Sequence, residues 1–299
     1  MNDADASDEL GLLTTDGMRA RRHPWAVVGV WAWETALALL VAWPVSSLVG
    51  RAFGADPRGD AVLWAPGGRE LVHLLFREVN GLYALASQAM LVLVAATVLG
   101  LVPMAMMLTA IAYARRDGTP AGILACTEQG LRRFPAMALL LVLASVAQGI
   151  VAAFGFAAGS VVEAWAHPGL GEARAQQIQA LVLLLFLAAT AAIGVAHDLS
   201  RAAVVRFKVS GGRALILGVR TFRLAPLALG WSWGWRALAS LAPIVAAAWA
   251  ADRVGSRAGG ALFVLFVLHQ AVILARVALR ASWLARALRA VDAALRRVG

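Results

Sequence analysis

The sequence predicts an all-α, polytopic membrane protein with six transmembrane helices in three hairpin repeats, joined by amphipathic cytoplasmic connectors. Three observations predict it. Of 299 residues, 61% are hydrophobic and only 15% are charged, against about 45–50% and about 25% in average globular chains. The mean hydropathy is +0.74. The apolar residues also fall into long stretches, and about 20 of them suffice to cross a hydrocarbon core about 30 Å thick at 1.5 Å each. Together these exclude a disordered chain, a disulfide scaffold and an ordinary soluble enzyme. The single cysteine, Cys126, cannot close an intrachain disulfide.

Taken in order, residues 1–22 form a cytoplasmic tail. Its start is acidic (Asp3, Asp5, Asp8, Glu9, Asp16) and lacks the basic opening of a signal peptide. Arg19, Arg21, Arg22 and His23 then lead into Pro24 and a first span at about 25–49. Further spans fall near 84–113, 136–162, 178–203, 226–251 and 259–279. The fifth is interrupted by Gly230, Gly234 and Arg236. This gives a transmembrane domain over 23–280 and a basic tail over 281–299. No segment outside the spans is long enough to pack as a domain. The largest, about 50–83, carries an amphipathic stretch from Arg69 to Val79 with Leu71, Leu74, Leu75 and Val79 on one helical face. It reads as a short helix on the outer membrane surface.

The charge balance of +10 would point to nucleic acid in a soluble protein, but 26 of the 27 basic residues are arginine and they sit mainly between the spans. The N-terminus, the connectors 114–135 and 204–225 and the C-terminal segment hold roughly 18 of them. The intervening segments hold about 7, namely Arg51, Arg58, Arg69, Arg77, Arg174, Arg253 and Arg257. Under the positive-inside rule both termini are cytoplasmic, with no nucleic-acid partner.

A repeat is visible in the connectors. Gly130-Leu131-Arg132-Arg133-Phe134 and Gly218-Val219-Arg220-Thr221-Phe222 stand 88 residues apart before spans, and Gly17-Met18-Arg19-Ala20-Arg21 holds the corresponding place before the first. The alternative is that Gly-x-Arg before a span is what topology alone requires. In the same register, Trp31-Ala32-Trp33-Glu34 and Trp233-Gly234-Trp235-Arg236 stand 202 residues apart, as do Pro24 and Pro226. Glu34 and Arg236 each follow their proline by ten residues, about 15 Å of helix. Gln148 takes the equivalent place in the middle repeat. Each charge costs about 2.5–3.5 kcal/mol at a helix centre, so Glu34, Gln148 and Arg236 are expected to form an intramembrane polar cluster. It is either a clamp fixing helix pairing or a substrate or proton site. A further alternative has Arg236 snorkelling to the inner surface.

Secondary candidates are His269 beside Gln270 in the sixth span, Asp198 with Arg201 as an i,i+3 pair near the inner end of the fourth, and His73 near Glu70 and Glu78. Gly155–Gly159 and Gly230–Gly234 match the close-packing spacing Gly-x-x-x-Gly. In the tail, Leu284, Leu288, Val291, Leu295 and Val298 form one apolar stripe, with Arg286, Arg289, Arg296 and Arg297 elsewhere. This pattern fits a basic helix on the inner leaflet, held by anionic lipid or by a partner helix.

No phosphate-binding loop, zinc signature, cysteine pair or nucleophile elbow occurs, so no cofactor, metal or catalytic residue is expected. The connector pattern at Gly130–Phe134 and Gly218–Phe222, with the helix layout over about 20–280, resembles poorly characterised bacterial membrane domains found beside glycerophosphodiesterases and related six-span proteins. That resemblance implies a bacterial inner-membrane protein handling lipids or assisting an envelope system. Three functional classes stand: a non-enzymatic permease-like or lipid-interacting module, a scaffold docking a protein partner, and a membrane enzyme using His73 or His269.

Overall fold

In the computed structural model, residues 10–14, 17–53, 72, 76, 79–115, 119–254 and 260–296 are described. The order is β1 (Leu10–Leu12), a 3-10 turn (Ala20–Arg22), α1 (Pro24–Phe53), α2 (Val79–Leu99), α3 (Leu101–Ala112), β2 (Tyr113–Arg115), α4 (Ile123–Leu170), α5 (Glu172–Phe207), α6 (Gly211–Leu224), α7 (Pro226–Ala239), α8 (Ala242–Val254) and α9 (Gly260–Arg296). The chain is an all-α polytopic membrane protein. Five helical stretches are long and apolar enough to cross a bilayer, six if α6 and residues 226–250 count as one bent span. Large apolar side chains are exposed along them, including Leu39, Leu40 and Trp43 on α1, Leu91 on α2, Phe154 on α4 and Leu185 on α5. In lipid this costs nothing, because acyl tails are as apolar as leucine.

Three helices greatly exceed the membrane. α4 has 48 residues, α5 36 and α9 37, so they run about 72, 54 and 56 Å against a core of about 30 Å. The excess extends the helices beyond the hydrocarbon core. Continuing helices, rather than a separate segment, supply the extra core.

The chain forms two compact units: one of Met1–His23, Ala105–Leu238 and Arg280–Gly299, the other of Pro24–Met104 and Ala239–Leu279. In the second unit α1 packs against α2, and Thr35 Oγ1 donates a hydrogen bond to Gln270 Oε1 at 2.8 Å, tying α1 to α9.

The first unit holds the α4–α5 hairpin and the arginine-rich ends of the helices. Met18, Met107, Leu108, Ile111, Met137, Leu140, Leu199, Val204, Trp283, Leu284 and Leu288 are fully buried in its core. Glycines set its closest approaches. A Cβ on Gly155 would meet Phe186 Cβ at 2.7 Å, and one on Gly159 would meet Gln179 and Leu183 at 3.4 Å, so this Gly-x-x-x-Gly face seats α5. Gly230 and Gly234 face open space. A Cβ on Gly218 would collide with Ser200, its backbone nitrogen at 2.6 Å, and with Ala196 O at 2.8 Å. α6 therefore lies directly on α5 at Gly218, and Gly211 lies against Ala136 and Leu139 of α4.

Several expectations change here. The N-terminal segment is docked rather than a free tail: β1 pairs antiparallel with β2 in the register Leu10↔Arg115, Gly11↔Ala114 and Leu12↔Tyr113. Residues 281–296 continue α9 without a break, and the stripe assigned to the inner leaflet is instead core, with Leu284, Leu288 and Val291 all buried. The two Gly-x-Arg connectors differ in shape: α4 continues through Pro135, whereas α6 and the following helix are bent by 97°. The expected outer-surface helix, with His73, lies outside the described residues.

Candidate functional site: an arginine-rich cluster

The strongest concentration of chemistry is where α5 and α9 leave their apolar stretches. Asp198 of α5 is buried. Arg280 Nη2 donates to its Oδ1 at 2.6 Å, and Trp283 Nε1 donates to its Oδ2 at 2.8 Å, both from α9. Arg201 approaches the same carboxylate at 3.7 Å. Eight residues along α5 the polarity reverses. Arg206 Nε and Nη2 donate to Asp292 Oδ1 of α9 at 3.0 and 2.8 Å, and Arg296 Nη2 takes the other oxygen at 2.9 Å. The nine residues from Trp283 to Asp292 rise about 13.5 Å and the eight from Asp198 to Arg206 about 12 Å. Two parallel helices are thus stapled twice, once with the acid on each.

The N-terminal segment is drawn into the same assembly. Arg206 Nη1 donates to Leu13 O at 3.0 Å and Arg289 Nη1 to Met18 O at 2.6 Å. Tyr113 donates its hydroxyl to Val205 O at 2.9 Å, and Lys208 lies 5.8 Å over its ring. Burial pushes the Tyr113 phenol above its usual range, partly offset by Arg133 and Arg206. His23 is buried and its Nδ1 has no partner among the described residues. Burial, then the neighbouring Arg22 charge, lowers its imidazole below the ordinary value.

Glu34, Gln148 and Arg236, the residues of the expected polar cluster, are divided between the two units. Glu34 belongs to the unit of Pro24–Met104, and Gln148 and Arg236 to the other. Gln148 Nε2 donates to Thr190 O of α5 at 3.2 Å. Arg236 donates to Ser232 O at 2.6 Å, to Ser232 Oγ at 2.8 Å and to Ser282 Oγ at 3.2 Å, and stacks 4.5 Å from the Trp235 ring. Ser282 adjoins Trp283, which binds Asp198, whereas Thr190 precedes Asp198 by eight residues, about 12 Å. Arg236 and Gln148 therefore keep separate partners at separate levels, and Arg236 joins the arginine-rich end, where Arg286 and Arg289 lie within electrostatic reach.

Among the secondary candidates, His269 is exposed on α9 and its Nδ1 lies 2.6 Å from Leu265 O of the same helix. Asp198 and Arg201 do pair, yet the short bonds of Asp198 run to α9 rather than along its own helix. Arg206, Arg280, Trp283 and the role of Asp292 escape a sequence reading, because their partners lie 82 to 86 positions away. The available signal was the carboxylate itself, since a buried charge requires a partner.

Among the described residues, Arg201, Arg206, Arg236, Arg280, Arg286, Arg289 and Arg296 stand here with Asp198 and Asp292. Both carboxylates are committed to guanidinium groups, which suits shape-holding better than proton transfer. The surplus of positive charge suits anions. No protein-family model, curated protein or solved structure matches the chain.

Proposed function

We propose that the protein is a non-catalytic, lipid-interacting module of a bacterial inner membrane, with both termini and the arginine-rich helix ends on the cytoplasmic side. The observation that carries this reading is the surplus of arginine directly at the ends of helices whose apolar side chains face outward. Anionic lipid headgroups lie at that level, and each nearby Lys or Arg contributes about 1 kcal/mol to such attraction. A carrier's coupled polar site is less well supported, since Gln148 and Arg236 serve helix–helix hydrogen bonds about 12 Å apart in level. Six crossings are supported by the ends of α5 and α9 meeting at Arg206–Asp292. The sequence resemblance to membrane domains beside glycerophosphodiesterases belongs with this reading.

Excision of the protein in polymer-bounded discs, followed by lipid analysis, tests the reading. Enrichment of anionic lipid several-fold over the bulk membrane is the expected result, and a disc composition equal to the bulk refutes it. A second reading, a scaffold docking a protein, is favoured by one patch. Ile123, Leu124 and Leu131 are 57%, 86% and 55% exposed near the start of α4, about 8–20 Å along the helix from the start of its apolar stretch.

A further inference from the structure

α6 carries two opposed faces. Gly211, Ala214, Gly218 and Thr221 are buried against neighbouring helices. At 100° per residue, Arg213, Ile216, Arg220, Arg223 and Leu224 share an arc of about 100° on the other side, and all five are exposed. None of the three arginines meets a carboxylate among the described residues. Ile216 and Leu224 are 68% and 49% exposed.

The height of this face in the bilayer follows from what α6 packs on. Gly218 lies against Ser200 of α5, and Gly211 against Ala136 and Leu139 of α4. At these positions the apolar stretch of each helix gives way to arginine: Arg201 and Arg206 on α5, Arg132 and Arg133 on α4. The helix following α6 departs at 97° as part of a candidate span. It exposes Leu227 at once and Trp231 a turn later, at 87% and 73%, and exposed tryptophan marks the membrane–water interface. α6 is therefore a helix in the plane of the headgroups, with its outward face turned away from the protein.

We infer that the outward face of α6 is a docking surface for anionic phospholipid headgroups, with Arg213, Arg220 and Arg223 taking phosphate oxygens and Ile216 and Leu224 lying against the acyl boundary. This deepens the lipid-interacting reading and rests on it. It also moves the lipid contact from the C-terminal stripe, which is core, to α6. No discrete pocket is required, because guanidinium groups on one face with apolar residues between them match a layer of phosphates over hydrocarbon.

The full-length protein in mild non-ionic detergent is titrated with phosphatidylglycerol, with phosphatidylcholine and with inorganic phosphate, and retained lipid is read by native mass spectrometry. Attraction near an anionic surface amounts to about fivefold per arginine. The wild type is therefore expected to favour phosphatidylglycerol by up to roughly 100-fold, and the R213Q/R220Q/R223Q variant by no more than about twofold. R220Q alone is expected to lose about fivefold, and being a single exposed change it serves if the triple variant fails to fold. R174Q, an exposed change at the opposite end of α5 from the arginine cluster, is expected to leave the preference unchanged. Three results overturn the assignment: a triple variant or R220Q that discriminates like wild type, loss through R174Q alone, or displacement of lipid by millimolar phosphate, which identifies a discrete anion site. Absence of any preference in the wild type overturns the lipid-interacting function as well, so the two failures are distinguishable.

Discussion

Cutting the Arg206–Asp292 staple from either side should destabilise the first unit by unequal amounts. Both side chains are nearly inaccessible, at 7% and 8%. Removing one partner of such a pair costs about 3–5 kcal/mol, mostly from the charge left behind. Asp292→Asn leaves Arg206 its bond to Leu13 O and an amide oxygen in place of the carboxylate, so about 3 kcal/mol is expected. Arg206→Gln leaves Asp292 with Arg296, which is 67% exposed, and also strands Leu13 O, adding about 1–3 kcal/mol for a lost acceptor partnership. The second change should therefore exceed the first by at least about 1 kcal/mol. The double variant should cost less than the sum, since no lone charge remains, with a coupling of about 2 kcal/mol within the range for residues in contact. Unfolding by dodecyl sulfate in mixed micelles, followed by tryptophan fluorescence, gives all three values. Arg132→Gln, whose partner is the exposed neighbour Glu128, is the control at under about 0.5 kcal/mol. Strict additivity, or single changes no larger than the control, would refute the staple.

Other changes probe other joints. Gly218→Ala places a methyl against the Ser200 backbone, where overpacking costs about 1–3 kcal/mol. Lower thermal stability and faster proteolysis near α6 are expected, whereas the same change at Gly212, which faces open space, should be neutral or slightly stabilising. The pH dependence should carry a signature of His23. Because burial lowers its folded-state value below the ordinary 6.5, the unfolded chain binds the extra proton first. Stability should be intact above about pH 6.5 and decline as the pH falls below it. A melting-temperature series from pH 8 to pH 5 should show that decline in the wild type and a flatter course in His23→Gln.

The membrane character, the span positions and the basic connectors were legible in the sequence because each depends on local composition. What was not legible is where connectors go once they leave the lipid. The stripe Leu284–Leu288–Val291 is equally suited to a leaflet or to a protein core, and periodicity alone does not choose between them. The staple decides: Asp292 on the flank of that stripe finds Arg206 on α5, fixing the helix end within the protein. Asp198 and Arg201 were visible as a pair, but the bond lengths show that the tighter partners are Arg280 and Trp283.

The staples also impose an order on biogenesis. Asp198 and Arg206 leave the ribosome 82 and 86 positions ahead of Arg280 and Asp292. At ~5–20 residues per second they wait ~4–17 s for their partners. Through that interval the nascent chain holds an acid and several guanidinium groups at the rim of the translocon, satisfied by water, lipid phosphate or a chaperone. Closure of the unit thus awaits the synthesis of α9, which supplies Arg280 and Asp292. A chain stalled before Arg280 would display those unmatched charges, a feature that a membrane protease could distinguish from the finished protein.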